Sequence, residues 1–163
     1  MGKTLILGVG NILLSDDGVG VHVVRRLEEV AEFPETVQVL DGGTKGLDLL
    51  HYLEGVSHLI IIDAVEIGES PGTLARLEGD QVPAYLSLKM SPHEIGLPDM
   101  LFAAKLRDLY PEEVVVWGVQ PATTEVGLAL SEPVAARVDV LVERVLEELA
   151  GWGIPVVRIY PPG

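Results

Sequence analysis

A chain of 163 residues that is 48% hydrophobic and 22% charged has ample core for one globular domain, and no second domain is expected. A net charge of −14 with only 11 Lys and Arg provides no basic footprint for nucleic acid or an anionic membrane, so a neutral, cationic or metal-bearing partner is expected. There is no cysteine, which excludes disulfides, thiol nucleophiles and thiolate metal sites and leaves oxygen and imidazole as the only strong metal donors. No apolar run approaches the length of a membrane span, and Met1-Gly2-Lys3 leads into the first strand without a signal-peptide pattern. A cytoplasmic protein is the expectation.

The elements follow in order. Thr4 to Leu7 is a short apolar run broken by Gly8-Val9-Gly10-Asn11, which predicts a buried strand ending near Gly8. Val19, Val23, Leu27 and Val30 then line one face of a helix, with Asp16 and Asp17 at its mouth. Thr36 to Leu40 reads as a second strand closed by Asp41-Gly42-Gly43-Thr44, with Thr44 placed to cap a helix carrying Leu47, Leu50 and Leu53 and stopped by Gly55. Leu59 to Ile62 is a continuous apolar run ending in Asp63, the pattern of a central parallel strand covered on both faces. Thr73 to Glu78 alternates weakly, as an edge strand does. Ser91-Pro92-His93-Glu94 has the cap, proline and acid of a helix start, with a kink or restart at Pro98 and a stop at Pro111. Glu113 to Val119 is a further strand, and Ser131-Glu132-Pro133 opens a last helix with Val134, Val138, Leu141, Val145 and Leu149 on one face, ending at Gly151. Residues from Trp152 onward form a proline-rich tail without a pattern.

Strands alternating with helices imply an α/β fold: one twisted, mostly parallel sheet of about five strands with helices on both faces. Ligands of such sheets sit beyond the carboxyl ends of the strands. Asp17, Asp41 and Asp63 all fall at or just after those ends.

Each of these acids has an ordinary explanation. Ser15 or Asp16 at the helix mouth caps it while the second carboxylate favours its positive end, and an Asp after a strand closes a turn by hydrogen bonding. Three acids at one sheet edge, together with His93, favour more than turn chemistry. A buried carboxylate is costly unless solvated, paired or coordinating. Two carboxylates and a neutral imidazole balance a divalent cation and leave coordination positions open. Other signatures fail. Leu13 stands where the third glycine of a dinucleotide fingerprint belongs, and an acid pair repels a pyrophosphate. His93-Glu94 is followed by Ile95-Gly96 rather than completing H-E-x-x-H, and no G-x-S-x-G elbow is present. His22, His51 and His58 read as surface or core-edge residues, and Tyr110 and Trp117 as core.

Five segments in order, GVGNILLSDDGVG at 8–20, LDGGTKG at 40–46, LIIIDAV at 59–65, PGTL at 71–74 and KMSPHEIGLPD at 89–99, resemble the maturation endopeptidases of nickel-iron hydrogenases over nearly the whole chain to about Gly151. The resemblance implies an aspartyl-type, metal-dependent endopeptidase that removes a C-terminal extension from the hydrogenase large-subunit precursor after nickel insertion. It implies Asp17, Asp63 and His93 as metal ligands, Asp41 in substrate handling, and substrate contacts at Gly42, Gly43 and Thr44. Some members carry Glu at the first ligand position, so Asp17 is one methylene shorter here, which bears on distance and affinity. Nickel is expected to arrive with the substrate, and zinc or cadmium to occupy the same donors in vitro. A nickel-dependent escort that never cuts would need the same trio and is the alternative. The hydrolases of peptidyl-tRNA look architecturally related, but a charge of −14 argues against a tRNA partner.

Overall fold

The computed structural model describes residues 2–82 and 97–159. Its centre is a five-stranded sheet built from β1 (Lys3–Val9), β3 (Val37–Gly43), β4 (Val56–Ala64), β5 (Leu74–Glu78) and β6 (Glu113–Val119). The spatial order is β3-β1-β4-β6-β5, with the first four strands parallel and β5 antiparallel on the edge. Helices α1 (Val19–Val30), α2 (Leu97–Leu106), α3 (Glu132–Ala135) and α4 (Val138–Gly151) flank it. The α/β architecture is therefore as expected, including the edge position of β5.

The continuous apolar runs are explained by burial on both faces. Alternate residues of one strand enter different cores: Ile6, Ile60, Ile62 and Val115 pack with Val23, Leu27, Leu141 and Val145 of α1 and α4, whereas Leu5, Leu7, Leu59, Ile61 and Val116 pack with Leu49, Leu53, Met100 and Leu101. Trp117 is buried in the first of these cores, and Tyr110 packs against the second.

Local expectations change at several places. β3 runs two residues past Asp41 and β4 one residue past Asp63, so both acids lie within the carboxyl-terminal ends of their strands. The segment after Thr44 is a 3₁₀ helix, Gly46–Leu53, in which Leu49 and Leu53 are buried and Leu47 is exposed; no side chain caps it. It is eight residues long and bracketed by Gly46 and Gly55, both in the left-handed region. Helix α2 takes Pro98 in its first turn and ends at Leu106, short of Pro111. The helix start at Ser91 to Glu94 lies outside the described residues. The last helix is two helices, broken at Ala136 and Arg137, where the Arg137 guanidinium donates to the Gly72 carbonyl at 2.9 Å. The tail is not patternless: β7 (Val157–Arg158) pairs antiparallel with β2 (Ala31–Glu32), at the end of α1.

Candidate active site

Four parallel strands end on the same side of the sheet, and the loops that leave them bring the candidate acids there. Loop closure after β1 depends on Gly10, which has φ +122°; a β-carbon there would fall 1.8 Å from the Asp17 carbonyl oxygen. The loop turns through Leu14 N–H to Asn11 carbonyl (3.0 Å) and Asp17 N–H to Leu14 carbonyl (3.1 Å), then enters α1 through a 3₁₀ turn, Ser15–Gly18. Helix α1 sits unusually close to the strands. A β-carbon on Gly20 would lie 2.1 Å from the Ile62 carbonyl oxygen and 2.7 Å from that of Val9, and one on Gly8 would lie 2.2 Å from the Gly20 carbonyl oxygen. Glycine at both positions thus lets the start of the helix, and Asp17 with it, approach the strand end that carries Asp63.

Asp17 is buried, and its Oδ2 accepts the Asn11 N–H at 2.8 Å. Its other oxygen accepts no hydrogen bond among the described residues. Asp63 is buried on β4 opposite Gly118 of β6, with the alternation that sends Leu59 and Ile61 to the α2 side. The Ser15–Gly18 turn and β4 are in contact, and both acids lie at the carboxyl end of the parallel strands. The third expected ligand, His93, lies outside the described residues; among those described, no three His, Asp or Glu side chains are grouped to hold a metal.

Asp41 sits at the neighbouring strand end and is half-exposed. Its Oδ1 accepts the Gly43 N–H at 3.0 Å, the turn chemistry expected of an Asp before glycines, and its Oδ2 lies 3.5 Å from the Arg25 guanidinium on α1. Gly42 leaves room for packing, since a β-carbon there would lie 2.7 Å from Leu7 Cδ1 and 3.1 Å from Leu49 Cδ1. Gly43 has φ +49° and its carbonyl accepts the Gly10 N–H at 2.9 Å, tying the β3 and β1 loops together. Thr44 is exposed and caps nothing.

Asp16 does not cap α1, because the 3₁₀ turn intervenes and Gly18 occupies the cap position. Fully buried, it instead accepts four hydrogen bonds from the far end of the chain: Ser131 N–H and hydroxyl (both 2.7 Å), Ala122 N–H (2.8 Å) and Thr123 N–H (3.2 Å). Burial pushes its carboxyl up, but these donors together outweigh burial and hold it below the ordinary aspartate value. Gln120 is a second polar anchor absent from the sequence reading. Buried directly after β6, it accepts the Ile67 N–H at 2.8 Å and donates to Glu66 at 2.9 Å. Its signal was a lone amide closing an apolar strand.

The remaining histidines lie where expected. His58 stacks on Trp152 (ring centroids 4.5 Å) at the amino end of β4, remote from the acids, and His51 is exposed beside Tyr52. His22 is half-buried on α1, where burial and then Arg25 push its pKa down.

Residues 21–148 match the family model described as hydrogenase maturation protease. The chain is 39% identical over 156 residues to the hydrogenase 2 maturation protease of Escherichia coli, covering 95% of each chain. It is 40% identical over 158 residues to the hydrogenase expression/formation protein HupD of Rhodobacter capsulatus, covering 96% of this chain and 75% of that one. The solved structure of the hydrogenase maturating endopeptidase HybD from Escherichia coli superposes with a TM-score of 0.91 at 38% identity, over 96% of this chain and 98% of that one.

Proposed function

This chain belongs to the hydrogenase maturation protease family, and we propose that it is the endopeptidase that removes the C-terminal extension of a nickel-iron hydrogenase large-subunit precursor once nickel has been inserted. The observation that carries this reading is that Asp17 and Asp63 are both buried at the carboxyl end of the sheet, on two elements in contact, the Ser15–Gly18 turn and β4, with glycines at 8 and 20 letting α1 lie close to the strands. Buried carboxylates held against strand ends suit a guest cation. Asp17 has one oxygen held by Asn11 and one available to such a guest.

In this reading Asp17, Asp63 and His93 capture nickel that the precursor already holds, so cleavage waits for metal insertion. Capture fixes the scissile peptide over the strand ends, and rate is gained through positioning. Asp41, half-exposed beside the site, handles the peptide and orients the attacking water, while Gly42, Gly43 and Thr44 flank the chain being cut. Zinc or cadmium, taking the same oxygen and imidazole donors, competes with capture.

The test is to incubate the protein with large-subunit precursor, with and without inserted nickel, and follow the precursor's C-terminus by mass spectrometry. Shortening only with nickel supports the reading. Nickel-dependent binding without shortening establishes the escort alternative instead, and Asp17→Ala or His93→Ala variants that still process would remove the trio from the mechanism.

A further inference from the structure

Leu13, Val126 and Leu128 are 56%, 88% and 70% exposed, and the backbone gathers them. Leu14 bridges in parallel to Gly127, the Gly127 N–H donates to the Leu13 carbonyl at 2.9 Å, and the Ser15 N–H donates to the Gly127 carbonyl at 2.8 Å. Parallel register sets Leu13 opposite Val126. A β-carbon on Gly127 would lie 2.9 Å from the Ser15 hydroxyl, so this position faces inward and its neighbours Val126 and Leu128 face solvent. The segment is held from beneath: the Ser15 hydroxyl donates to the Glu125 carbonyl at 2.8 Å, and buried Asp16 binds Ala122, Thr123 and Ser131. Apolar side chains fixed in an exposed ridge mark an interaction site, and their fixed backbone leaves little ordering to be done on binding.

We propose that this ridge is the docking surface for the folded precursor, receiving an apolar surface that borders the precursor's metal site. The inference rests on the protease reading above. The occupant follows from continuity with the candidate site. Asn11 joins the two, its Oδ1 accepting the Leu13 N–H at 2.9 Å and its own N–H donating to Asp17 Oδ2 at 2.8 Å. A protein whose bound metal reaches Asp17 therefore lies across Leu13 and the loop attached to it.

The experiment compares wild type with Val126→Asp/Leu128→Asp and, as a control, Val157→Asp, which changes a 64% exposed residue on β7, in cleavage of nickel-loaded precursor at varied concentration. The expected result is a KM raised tenfold or more in the double variant, kcat within about twofold, and a control like wild type. An unchanged KM in the double variant, or an equal rise in the control, overturns the docking surface. Failure of wild type to cut is a failure of the protease reading. The ridge is then judged by direct binding of the nickel-loaded precursor, where wild type and double variant binding alike overturns it and a tenfold loss in the double variant supports it. Self-association of wild type removed by the double variant, with KM unchanged, would assign the ridge to a second copy of this chain.

Discussion

Removing the Asp17 carboxylate frees a single N–H, that of Asn11, whereas the fully buried carboxylate of Asp16 is the acceptor for four partly buried donors. A buried donor left without its partner costs about 1–3 kcal/mol, more where the lost acceptor was charged. Asp17→Ala is therefore expected to fold with little loss and to lose processing. Asp16→Ala is expected to lose about 3 kcal/mol, which in a chain of this size lowers Tm by roughly 10 °C. Thermal melts of the two variants, run beside the cleavage assay, check the contrast. Acid should report on Asp16 as well. Its folded-state pKa is lowered, so its contribution to stability is complete above the ordinary aspartate range near pH 4 and is lost as pH falls through the depressed native value. Denaturant titrations below pH 4 should show wild type losing stability more steeply than Asp16→Asn, which has no carboxylate to protonate. Adjacent acids with such different hydrogen bonding are not separable from local sequence. Both follow the same strand-and-glycine pattern, which places them at the carboxyl end of β1, but the partners of Asp16 stand 106 to 115 residues away, and no local spacing encodes them.

The α1 helix delivers Asp17 only because two glycines remove side chains from the helix–strand contact. Adding a methyl at Gly20 drives a carbon into the carbonyl oxygens of Ile62 and Val9, at 2.1 and 2.7 Å, and both are backbone atoms that cannot rotate aside. Overpacking of this kind commonly costs about 1–3 kcal/mol. Gly20→Ala is expected at the upper end, with α1 displaced outward and processing reduced beyond what the stability loss alone predicts. Measuring kcat/KM at a temperature where the variant is fully folded separates the two effects. Elements whose packing follows their own periodicity were legible: β1, α1, β4 and β6 emerged within a residue or two at most ends, and the apolar runs of β1 and β4 reported that both faces are covered. Elements decided by distant contacts were not. The break between α3 and α4 coincides with Arg137 binding Gly72, and β7 is two residues that become a strand only by meeting β2.

At the scale of the whole molecule the sheet separates two ends. The carboxyl ends of the parallel strands carry Asp17, Asp41 and Asp63, while α1 runs back along the sheet and delivers Val30 to the other end, where the tail closes over it. The tail is held there by the β2–β7 pairing, the Ile159 N–H to Val30 carbonyl bond at 2.7 Å, the Arg158–Glu143 ion pair, and Ile154 and Val156 against the core. Exposed ion pairs contribute little, so packing and backbone pairing should account for most of what the tail adds, about 2 kcal/mol. Deleting everything after Gly153 is expected to lower Tm by roughly 4–8 °C. Because none of these contacts touches the carboxyl edge, kcat/KM for the precursor should stay within about twofold of wild type at temperatures where both proteins are folded. A truncated protein that melts normally would show that the tail contributes no stability. One that melts lower and also loses cleavage while folded would show that the amino end communicates with the acids, and the separation of a stabilising end from a reacting end would have to be abandoned.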